Sequence, residues 1–347
     1  MNNKKKILFS LFFAVLLMTT STGCKYFDSP PKSLTRSIFI MDTVAEITVY
    51  GDSDTAVSAV NAAFEELRTL EKVFSYTDAN SELSRVNARA YGTPVQVSEY
   101  MGDLIERSLR LCEMTDGALD ISLGMFIDLW SKEQVPDESE MAEILPRIGY
   151  EKIVYDDESR TVEFLDDAVK MHFGAVAKGY ALDVAEKVLL EYGVASAIVD
   201  IGGEIAVIGE SPRADGNWRI GVNNPHERSE IALVLHVKPG GRIATSGDSE
   251  RFFTGENGEV YHHILDRGTG FPAVSDYSSV TVISHDGTFS DALATAIFAA
   301  GTVPQNQSFS EEYCVVCIDK KGEISASGFD NNDLCVGGDF VGGTSLD

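Results

Sequence analysis

The sequence has few of the residues that build a disulfide-rich or zinc-centred protein. Its 347 residues include five cysteines and six histidines, and the histidines are not grouped as three or four converging zinc ligands. Cys314 and Cys317 have the spacing of a redox or metal pair, which is the alternative. Their segment is typical of a buried strand, however, where residues i and i+3 face opposite ways. We therefore expect buried thiols here.

Positive charge is also scarce. The chain has 28 Lys and Arg residues against 54 Asp and Glu residues, a formal net charge of −26. This balance argues against nucleic acid as a partner, and against binding to an anionic membrane surface through charge. A phosphate group must therefore be held locally, by backbone amides, a few cations or a metal ion.

Long apolar runs are nearly absent. One run, Ile7 to Met18, follows Lys4–Lys6 and is too short to span a bilayer as a mature anchor. Ser21-Thr22-Gly23-Cys24 comes next and resembles the lipobox of bacterial lipoproteins. We expect a signal peptide at 1–23, a diacylated Cys24 that anchors an exported protein to the outer face of the cytoplasmic membrane, a tether at 24–37 and one domain at 38–347. Ordinary secretory cleavage is the alternative.

Hydrophobic periodicity predicts helices at 54–72, 98–114 and 175–192, and a helix that Ser290 caps and Gly301 ends. Short strands are predicted near 152–155, 161–165, 196–201, 204–209, 217–222, 231–237, 260–265 and 279–284. This order of elements favours an α+β fold with a largely antiparallel sheet and flanking helices.

Asp291 and Thr295 stand four residues apart on the last of these helices. Side chains at i and i+4 share one helical face, so a carboxylate and a hydroxyl can meet one hard cation there. The alternative is structural: Asp291 faces the dipole at its own helix N-terminus, and Thr295 bonds back to a backbone carbonyl.

Three glycine-containing segments could approach a ligand closely. His172 to Tyr180 leads into a helix whose N-terminus and Lys178 suit an anion, although the glycines could instead permit tight packing. Asp200 to Ile205 holds a Gly pair that is more typical of a turn. Ile243 to Asp248 presents the hydroxyls of Thr245 and Ser246 for a phosphate, or forms a simple Ser/Thr turn.

Tyr261 to Pro272 holds two histidines, a carboxylate and a guanidinium. Neighbouring residues on a strand face opposite ways, so one of His262 and His263 at most faces a given site. Asp266 and Arg267 could be a surface ion pair.

Taken together and in order, the chain resembles the ApbE family, the FAD:protein FMN transferases. The resemblance runs from about Ile38 to Cys317. It is carried by Met41-Asp42-Thr43, Phe74-Ser75 through Ser81–Asn87, Asp116-Gly117-Ala118-Leu119-Asp120, Gly174-Ala175-Val176-Ala177-Lys178-Gly179, Asp200-Ile201-Gly202-Gly203, Ala244-Thr245-Ser246-Gly247-Asp248, His263-Ile264-Leu265-Asp266 with Thr269-Gly270, and Asp291-Ala292-Leu293-Ala294-Thr295.

The resemblance implies a T-fold-like α+β architecture of two lobes with FAD in the cleft between them. It also implies Mg²⁺-dependent transfer of FMN from FAD to a Thr or Ser hydroxyl of a membrane redox subunit, with release of AMP. Close alternatives are a Mg²⁺-dependent FAD pyrophosphatase, with water as acceptor, and a flavin-binding lipoprotein without catalysis.

Family positions imply roles for individual residues. The Mg²⁺ ligands map to the Asp291 carboxylate, the Thr295 hydroxyl and the Ala175 carbonyl, an all-oxygen set that suits this ion. His263 is the candidate base, and Asp266 orients it or binds the ligand. Contacts to FAD map to Met41, Tyr76, Ala118, Leu119, Asp120, His172, Lys178, Thr245, Ser246 and Ile264.

Two positions depart from the family pattern. His172 replaces the usual Asp, which removes a fixed negative charge. Arg267-Gly268 replaces the usual Pro-Arg, which is expected to loosen the turn after Asp266.

Overall fold

The computed structural model describes residues 32–51, 53–131, 134–227, 229–248, 252–255, 258–303, 312–329, 334–340 and 345–346. The predicted signal peptide and Cys24 lie outside these residues. Ser33–Asp347 forms one compact unit. Among the residues described, no helix is both long and apolar enough to cross a membrane.

Seven α-helices and seventeen strands are described. The helices are α1 Ser53–Phe74, α2 Glu82–Asn87, α3 Glu99–Met114, α4 Gly124–Trp130, α5 Glu138–Ile144, α6 Ala177–Glu191 and α7 Gly287–Ala300. The strands are β1 Ser33–Ile40, β2 Thr43–Tyr50, β3 Val95–Gln96, β4 Ile153–Asp156, β5 Thr161–Phe164, β6 Ala197–Ile201, β7 Glu204–Ile208, β8 Trp218–Asn223, β9 Ile231–Val237, β10 Arg242–Gly247, β11 Phe252–Thr254, β12 Val260–His262, β13 Tyr277–Ser284, β14 Cys314–Asp319, β15 Ile324–Ser327, β16 Cys335–Phe340 and β17 Ser345–Leu346.

The main sheet has eight strands in the order β1-β2-β6-β7-β10-β13-β14-β15. Every strand pair in it is antiparallel, which confirms the predicted fold class. The sheet begins earlier than expected, since β1 starts at Ser33 and pairs with Tyr50. Residues 33–37 therefore belong to a strand, and the predicted boundary of the tether at 37 is wrong.

Strand β14 shows how the two faces of this sheet are used. Val315 and Cys317 enter the core beneath the helices, which we call the helix-side core. Cys314, Val316 and Ile318 enter a second core, the sheet-side core, which a four-stranded sheet of order β17-β16-β9-β8 covers. This alternation is the two-residue period of a strand buried on both faces. It confirms that Cys314 and Cys317 are buried and face opposite ways.

Helices α6 and α7 approach each other at two glycines. A Cβ on Gly179 would lie 2.0 Å from the carbonyl oxygen of Gly287, and a Cβ on Gly287 would lie 2.4 Å from that of Gly179. No side chain fits between backbones at that separation. Gly179 therefore permits tight packing, as one interpretation predicted, but the packing is of helix on helix rather than of helix on sheet.

The start of α7 differs from the prediction. Asp286 caps the helix by accepting a hydrogen bond from the Phe289 amide at 2.8 Å. Ser290 is fully buried one turn inside, where its hydroxyl lies 2.7 Å from that of Ser284 and donates to the Arg242 carbonyl. Asp286 is therefore the N-cap, because its carboxylate is free to accept from the helix amide while the Ser290 hydroxyl is bonded within the core.

Replacing Gly179 with Ala is expected to lower the free energy of unfolding by about 1–3 kcal/mol, because the methyl group must displace the backbone of Gly287. Gly102→Ala is the matched control within a helix. A Cβ there meets the hydroxyl of Tyr155 at 2.3 Å, and this end of a side chain can move away. Urea denaturation of both variants provides the measurement. Equal stability of the two would contradict the proposed backbone clash.

Candidate functional site

One face of α7 brings three of the predicted segments together. Asp291, Thr295 and Phe298 occupy positions i, i+4 and i+7, so they follow one stripe about 10 Å long. The Asp291 carboxylate accepts a hydrogen bond from the Gly179 amide at 3.0 Å, and the Thr295 hydroxyl lies 3.0 Å from that of Ser246. The Phe298 ring packs edge-on against His262, with ring centroids 5.4 Å apart.

Asp291 supplies the N-terminal cap of α6. The residue at the cap position of that helix, Val176, makes no side-chain capping bond, and the buried carboxylate of Asp291 accepts from the Gly179 amide instead. Burial raises the pKa of Asp291, while Lys178 and the amides of this helical turn lower it. The helix terminus predicted to receive an anion thus receives a carboxylate of the protein itself.

Asp183 of α6 caps the N-terminus of α7 in the same way. Its carboxylate accepts from the amides of Gly287 at 2.8 Å and Thr288 at 3.1 Å, the first two residues of α7. Each helix therefore supplies a capping carboxylate to the N-terminus of the other. Burial, reinforced by the negative charge of Asp286, raises the pKa of Asp183 to about 6.

Lys178 forms an ion pair with Glu204 on β7. Glu204 is 2% exposed, and a carboxylate at that depth requires a cationic partner. This role of Glu204 was not predicted from the sequence, although Glu204 directly follows the Gly202-Gly203 pair. A carboxylate that follows a tight turn and starts a buried strand needs a cationic partner, and this pattern could have indicated the ion pair from the sequence.

The structure separates Thr245 from Ser246. On β10 these neighbours face opposite sides of the main sheet. Ser246 lies on the helix side against Thr295, whereas the Thr245 hydroxyl lies 2.9 Å from that of Thr281, the residue opposite it on β13. The structure therefore does not bring the Thr245 and Ser246 hydroxyls together on one face of the sheet.

The neighbouring residues His262 and His263 also differ in their surroundings. His262 is partly buried, its Nε2 lies 3.1 Å from the Ala273 carbonyl, and its Nδ1 accepts from the Ile264 amide at 3.3 Å. This bonding places the proton on Nε2 of a neutral ring, and burial lowers the pKa of His262. His263 comes just after β12 and is exposed, so it is the histidine that can meet an incoming group.

Arg267 holds the loop that follows His263. Its Nε lies 3.2 Å from the Asp120 carboxylate, and its Nη2 bonds both carboxylate oxygens of Glu151 at 2.8 and 2.7 Å. Asp266 and Arg267 are therefore not a surface ion pair. The Asp266 carbonyl also accepts from the Gly270 amide at 2.8 Å, so the turn is fixed rather than loosened.

Asp120 itself is a structural carboxylate. Its side chain is fully buried and also accepts from the amides of Ser122 at 2.7 Å and Tyr150 at 3.2 Å. Leu119 is buried as well, and Ala118 is partly exposed. Of these three residues Ala118 is the one that is partly exposed, and the Asp120 carboxylate is enclosed by protein partners.

Two further predicted contacts lie at turns. Met41 has a left-handed φ of 51° in the β1–β2 hairpin, and its amide donates to Glu71 at 2.8 Å. The Gly202 amide bonds the Val44 carbonyl at 3.0 Å, which brings this hairpin beside the Gly pair. Ile264 is buried, its amide donates to His262 Nδ1, and its carbonyl accepts from the Ala273 amide at 2.9 Å.

Tyr76 and His172 form a second group at the approach to α6. The Tyr76 hydroxyl lies 2.8 Å from the Gly124 carbonyl and 2.7 Å from the Asp128 carboxylate. Its ring meets His172 edge-on at 4.9 Å. Burial and Asp128 raise the pKa of Tyr76. The Gly174 amide donates to His172 Nδ1 at 3.2 Å, so a neutral His172 ring carries its proton on Nε2.

The predicted metal ligands are chemically suited to Mg²⁺. The Asp291 carboxylate and Thr295 hydroxyl share a face of α7, and Ala175 lies in the turn just before α6. Since a carboxylate has about four acceptor positions, the capping bond does not exhaust Asp291. Within the described part of the chain, no group of three or more His, Cys, Asp or Glu residues is placed to hold a metal. The predicted set contains one carboxylate, one hydroxyl and one backbone carbonyl, so it is not a group of that type.

The family model described as the ApbE family matches residues 41–314. The chain belongs to the ApbE family. A relative from Treponema pallidum, a FAD:protein FMN transferase, is 34% identical to this ApbE chain over 291 residues, which cover 78% of this chain and 79% of the relative. A FAD:protein FMN transferase from Haemophilus influenzae is 28% identical over 311 residues, which cover 85% of this chain and 88% of the relative.

Solved structures agree with the assignment to ApbE. The ApbE protein from Thermotoga maritima superposes with a TM-score of 0.77 at 31% identity, over 85% of this chain and 97% of that one. The flavin transferase ApbE from Vibrio cholerae gives a TM-score of 0.74 at 26% identity, over 86% and 98% of the two chains. The α+β architecture is thus the family's own.

Asp183→Asn is expected to flatten the pH dependence of stability. The folded protein holds the Asp183 proton more tightly than the unfolded chain, because its pKa is raised from 3.8 to about 6. This contribution to the free energy of unfolding is fully present below pH about 4 and lost as the pH rises through about 6. Urea denaturation across this interval should show wild type losing stability relative to the variant. Parallel profiles would refute the raised pKa.

Proposed function

We propose that this ApbE chain transfers the FMN part of FAD to a Thr or Ser hydroxyl of another protein, with Mg²⁺ as cofactor and AMP as the second product. The observation that carries the proposal is the single face of α7. It aligns the Asp291 carboxylate, the Thr295 hydroxyl and the Phe298 ring, and this ring contacts His262, the residue before His263. The curated relatives carry the name of this activity.

The proposed Mg²⁺ ligands are Asp291, Thr295 and the Ala175 carbonyl. When bound, the ion would neutralise charge on the pyrophosphate of FAD. The protein supplies orientation: the capping bond from the Gly179 amide fixes the Asp291 carboxylate, and the contact with Ser246 fixes the Thr295 hydroxyl. Such fixed ligands need little rearrangement when an ion binds.

Protein groups would perform the remaining steps. The acceptor hydroxyl attacks the phosphorus on the FMN side, the bond to the bridging oxygen breaks, and AMP leaves with that oxygen. His263 takes the proton of the attacking hydroxyl, a role open to it because the ring is exposed. Lys178, 21% exposed beside Glu204, adds positive charge near the phosphates. Asp266 orients His263 or contacts the ligand.

The site of action is also a proposal. A leader of the lipoprotein type ending at Cys24 supports an exported protein tethered to the outer face of the cytoplasmic membrane. An acceptor at that surface would be a flavin-carrying subunit of a membrane redox complex. The net charge of −26 supports a protein partner over nucleic acid.

The first test measures AMP release from FAD by the full-length chain. Mg²⁺ or EDTA is present, with or without an acceptor protein that bears a Thr or Ser flavinylation site. Transferase activity predicts AMP that requires both Mg²⁺ and acceptor, together with flavin fluorescence on the acceptor band in a gel. AMP with Mg²⁺ alone would identify a pyrophosphatase, and FAD binding without AMP would identify a non-catalytic binder.

Asp291→Asn is expected to lower FMN transfer by about 100-fold or more, because it removes the one charged ligand of the metal site. Asn retains an oxygen that can accept from the Gly179 amide, so the fold is preserved. Asp183→Asn is the matched control, since it alters the reciprocal cap without touching the metal ligands. Equal losses in the two variants, measured below their unfolding temperatures, would show that Asp291 acts only as a cap.

His263→Gln is expected to reduce the turnover number about 100-fold while leaving the dissociation constant of FAD nearly unchanged, as for a lost general base. His285→Gln is the control. His285 is likewise exposed but bonds the Gly240 carbonyl at 3.2 Å, and its loss should leave the turnover number unaltered. Transfer rates and fluorescence titration with FAD separate the two effects. A pure loss of FAD affinity would assign His263 to binding.

A further inference from the structure

His262 joins three parts of the chain, and no step of the proposed reaction uses it. It is the last residue of β12, one position before His263. Its Nε2 donates to the Ala273 carbonyl at 3.1 Å, and its Nδ1 accepts from the Ile264 amide at 3.3 Å. The ring also packs edge-on against Phe298, with an interplanar angle of 84°. One side chain thus contacts its own loop, a second segment and helix α7.

The two hydrogen bonds restrain the backbone of His263. Because the ring of residue 262 accepts from the amide of residue 264, His263 is the middle residue of a closed turn, as in an Asx turn. Ala273, in the second segment, is bonded twice. Its amide donates to the Ile264 carbonyl at 2.9 Å, and its carbonyl accepts from His262. The turn that carries His263 is therefore fastened to a second segment of chain.

Phe298 connects this turn with the face of α7 that carries the proposed metal ligands. It is 0% exposed and follows Thr295 by three positions, on the same helical face. A ring in a close-packed core cannot shift without moving its neighbours. The contact with His262 therefore limits the movement of the turn relative to α7.

We propose that His262 is a positioning residue, which holds the backbone of His263 so that the His263 imidazole meets the attacking hydroxyl. This inference rests on the proposed function, because His262 would act only through the general base. Orientation of a catalytic group raises the turnover number even when the orienting side chain does not contact the substrate.

The surroundings keep the ring of His262 neutral, as this role requires. A protonated imidazole has no acceptor and could not bond the Ile264 amide. Burial lowers the pKa of His262, whereas the bond to Ala273 raises it. Asp248 also raises this pKa and Lys320 lowers it, and these two groups form an ion pair at 2.9 Å.

Two substitutions in the full-length chain separate positioning from packing. His262→Phe keeps a ring against Phe298 but removes both hydrogen bonds. His262→Asn loses the ring, yet its oxygen can accept from the Ile264 amide. We expect the turnover number of FMN transfer to fall about 10- to 100-fold in His262→Phe and less in His262→Asn, with the dissociation constant of FAD nearly unchanged. A packing role predicts the reverse order.

His226→Phe is the matched control. His226 also bonds a backbone carbonyl, that of Asp319 at 3.1 Å, and its loss should leave the turnover number unaltered. Urea denaturation of each variant establishes that the rates are measured on folded protein.

The double variant His262→Phe/His263→Gln tests whether His262 acts through His263. If it does, the double variant is as slow as His263→Gln alone, because a base that has been removed cannot be misplaced. Independent roles predict that the two losses multiply.

Nuclear magnetic resonance tests the bonding without an activity assay. In the chain labelled with ¹⁵N-histidine, six rings contribute signals, and the signal that His262→Asn removes belongs to His262. We expect a neutral ring with its proton on Nε2 at pH 7. A charged ring, or a proton on Nδ1, would overturn the proposal.

Three kinetic outcomes would also overturn it: full turnover in His262→Phe, a larger loss in His262→Asn than in His262→Phe, or multiplied losses in the double variant. Each of them, with an active wild type, leaves the proposed function intact. If wild type transfers no FMN to the acceptor protein, the proposed function fails and the positioning role fails with it.

Discussion

The exchange of caps between α6 and α7 is the interaction on which the site depends. Two helix N-termini lie side by side, and both carry partial positive charge. Asp291 of α7 neutralises one, and Asp183 of α6 neutralises the other. The glycine contact between Gly179 and Gly287 allows the backbones to come close enough for these bonds. The carboxylate proposed to hold Mg²⁺ is therefore placed by the same contact that joins the helices.

The structural alternative predicted for Asp291, an interaction with its own helix N-terminus, is not observed, because Asp286 caps that helix and Asp291 caps α6. A capping carboxylate and a metal ligand are usually regarded as alternatives, yet here the cap is the means of orientation. The amide bond fixes one side of the carboxylate in a buried place, where burial alone would raise its pKa and favour the neutral acid. Positive charge from the α6 N-terminus and Lys178 offsets that effect, as a bound cation also would.

The sequence predicted what short-range periodicity and spacing determine. The helix from Asp54, the antiparallel strands, the opposed faces of His262 and His263, and the shared face of Asp291 and Thr295 all follow from local geometry. Partners far apart in the chain could not be predicted. Asp183 gives no local sign that it caps a helix 104 positions away. Likewise, Thr245 and Ser246 are neighbours in one sequence motif. Both lie on strand β10, where successive side chains point to opposite faces of the sheet, so their partners are on different faces.

The reciprocal caps also bear on the order in which the chain is made. The Gly179–Asp291 bond spans 112 positions, so α6 leaves the ribosome long before the residue that completes its first turn. Until α7 follows, the polypeptide lacks two of the three proposed metal ligands, Asp291 and Thr295, and the carboxylate that caps α6. A nascent or truncated chain therefore cannot assemble the site early, and loop closure over such a distance is slow. The proposed site can therefore form only when α7 packs against α6, late in the completion of the fold.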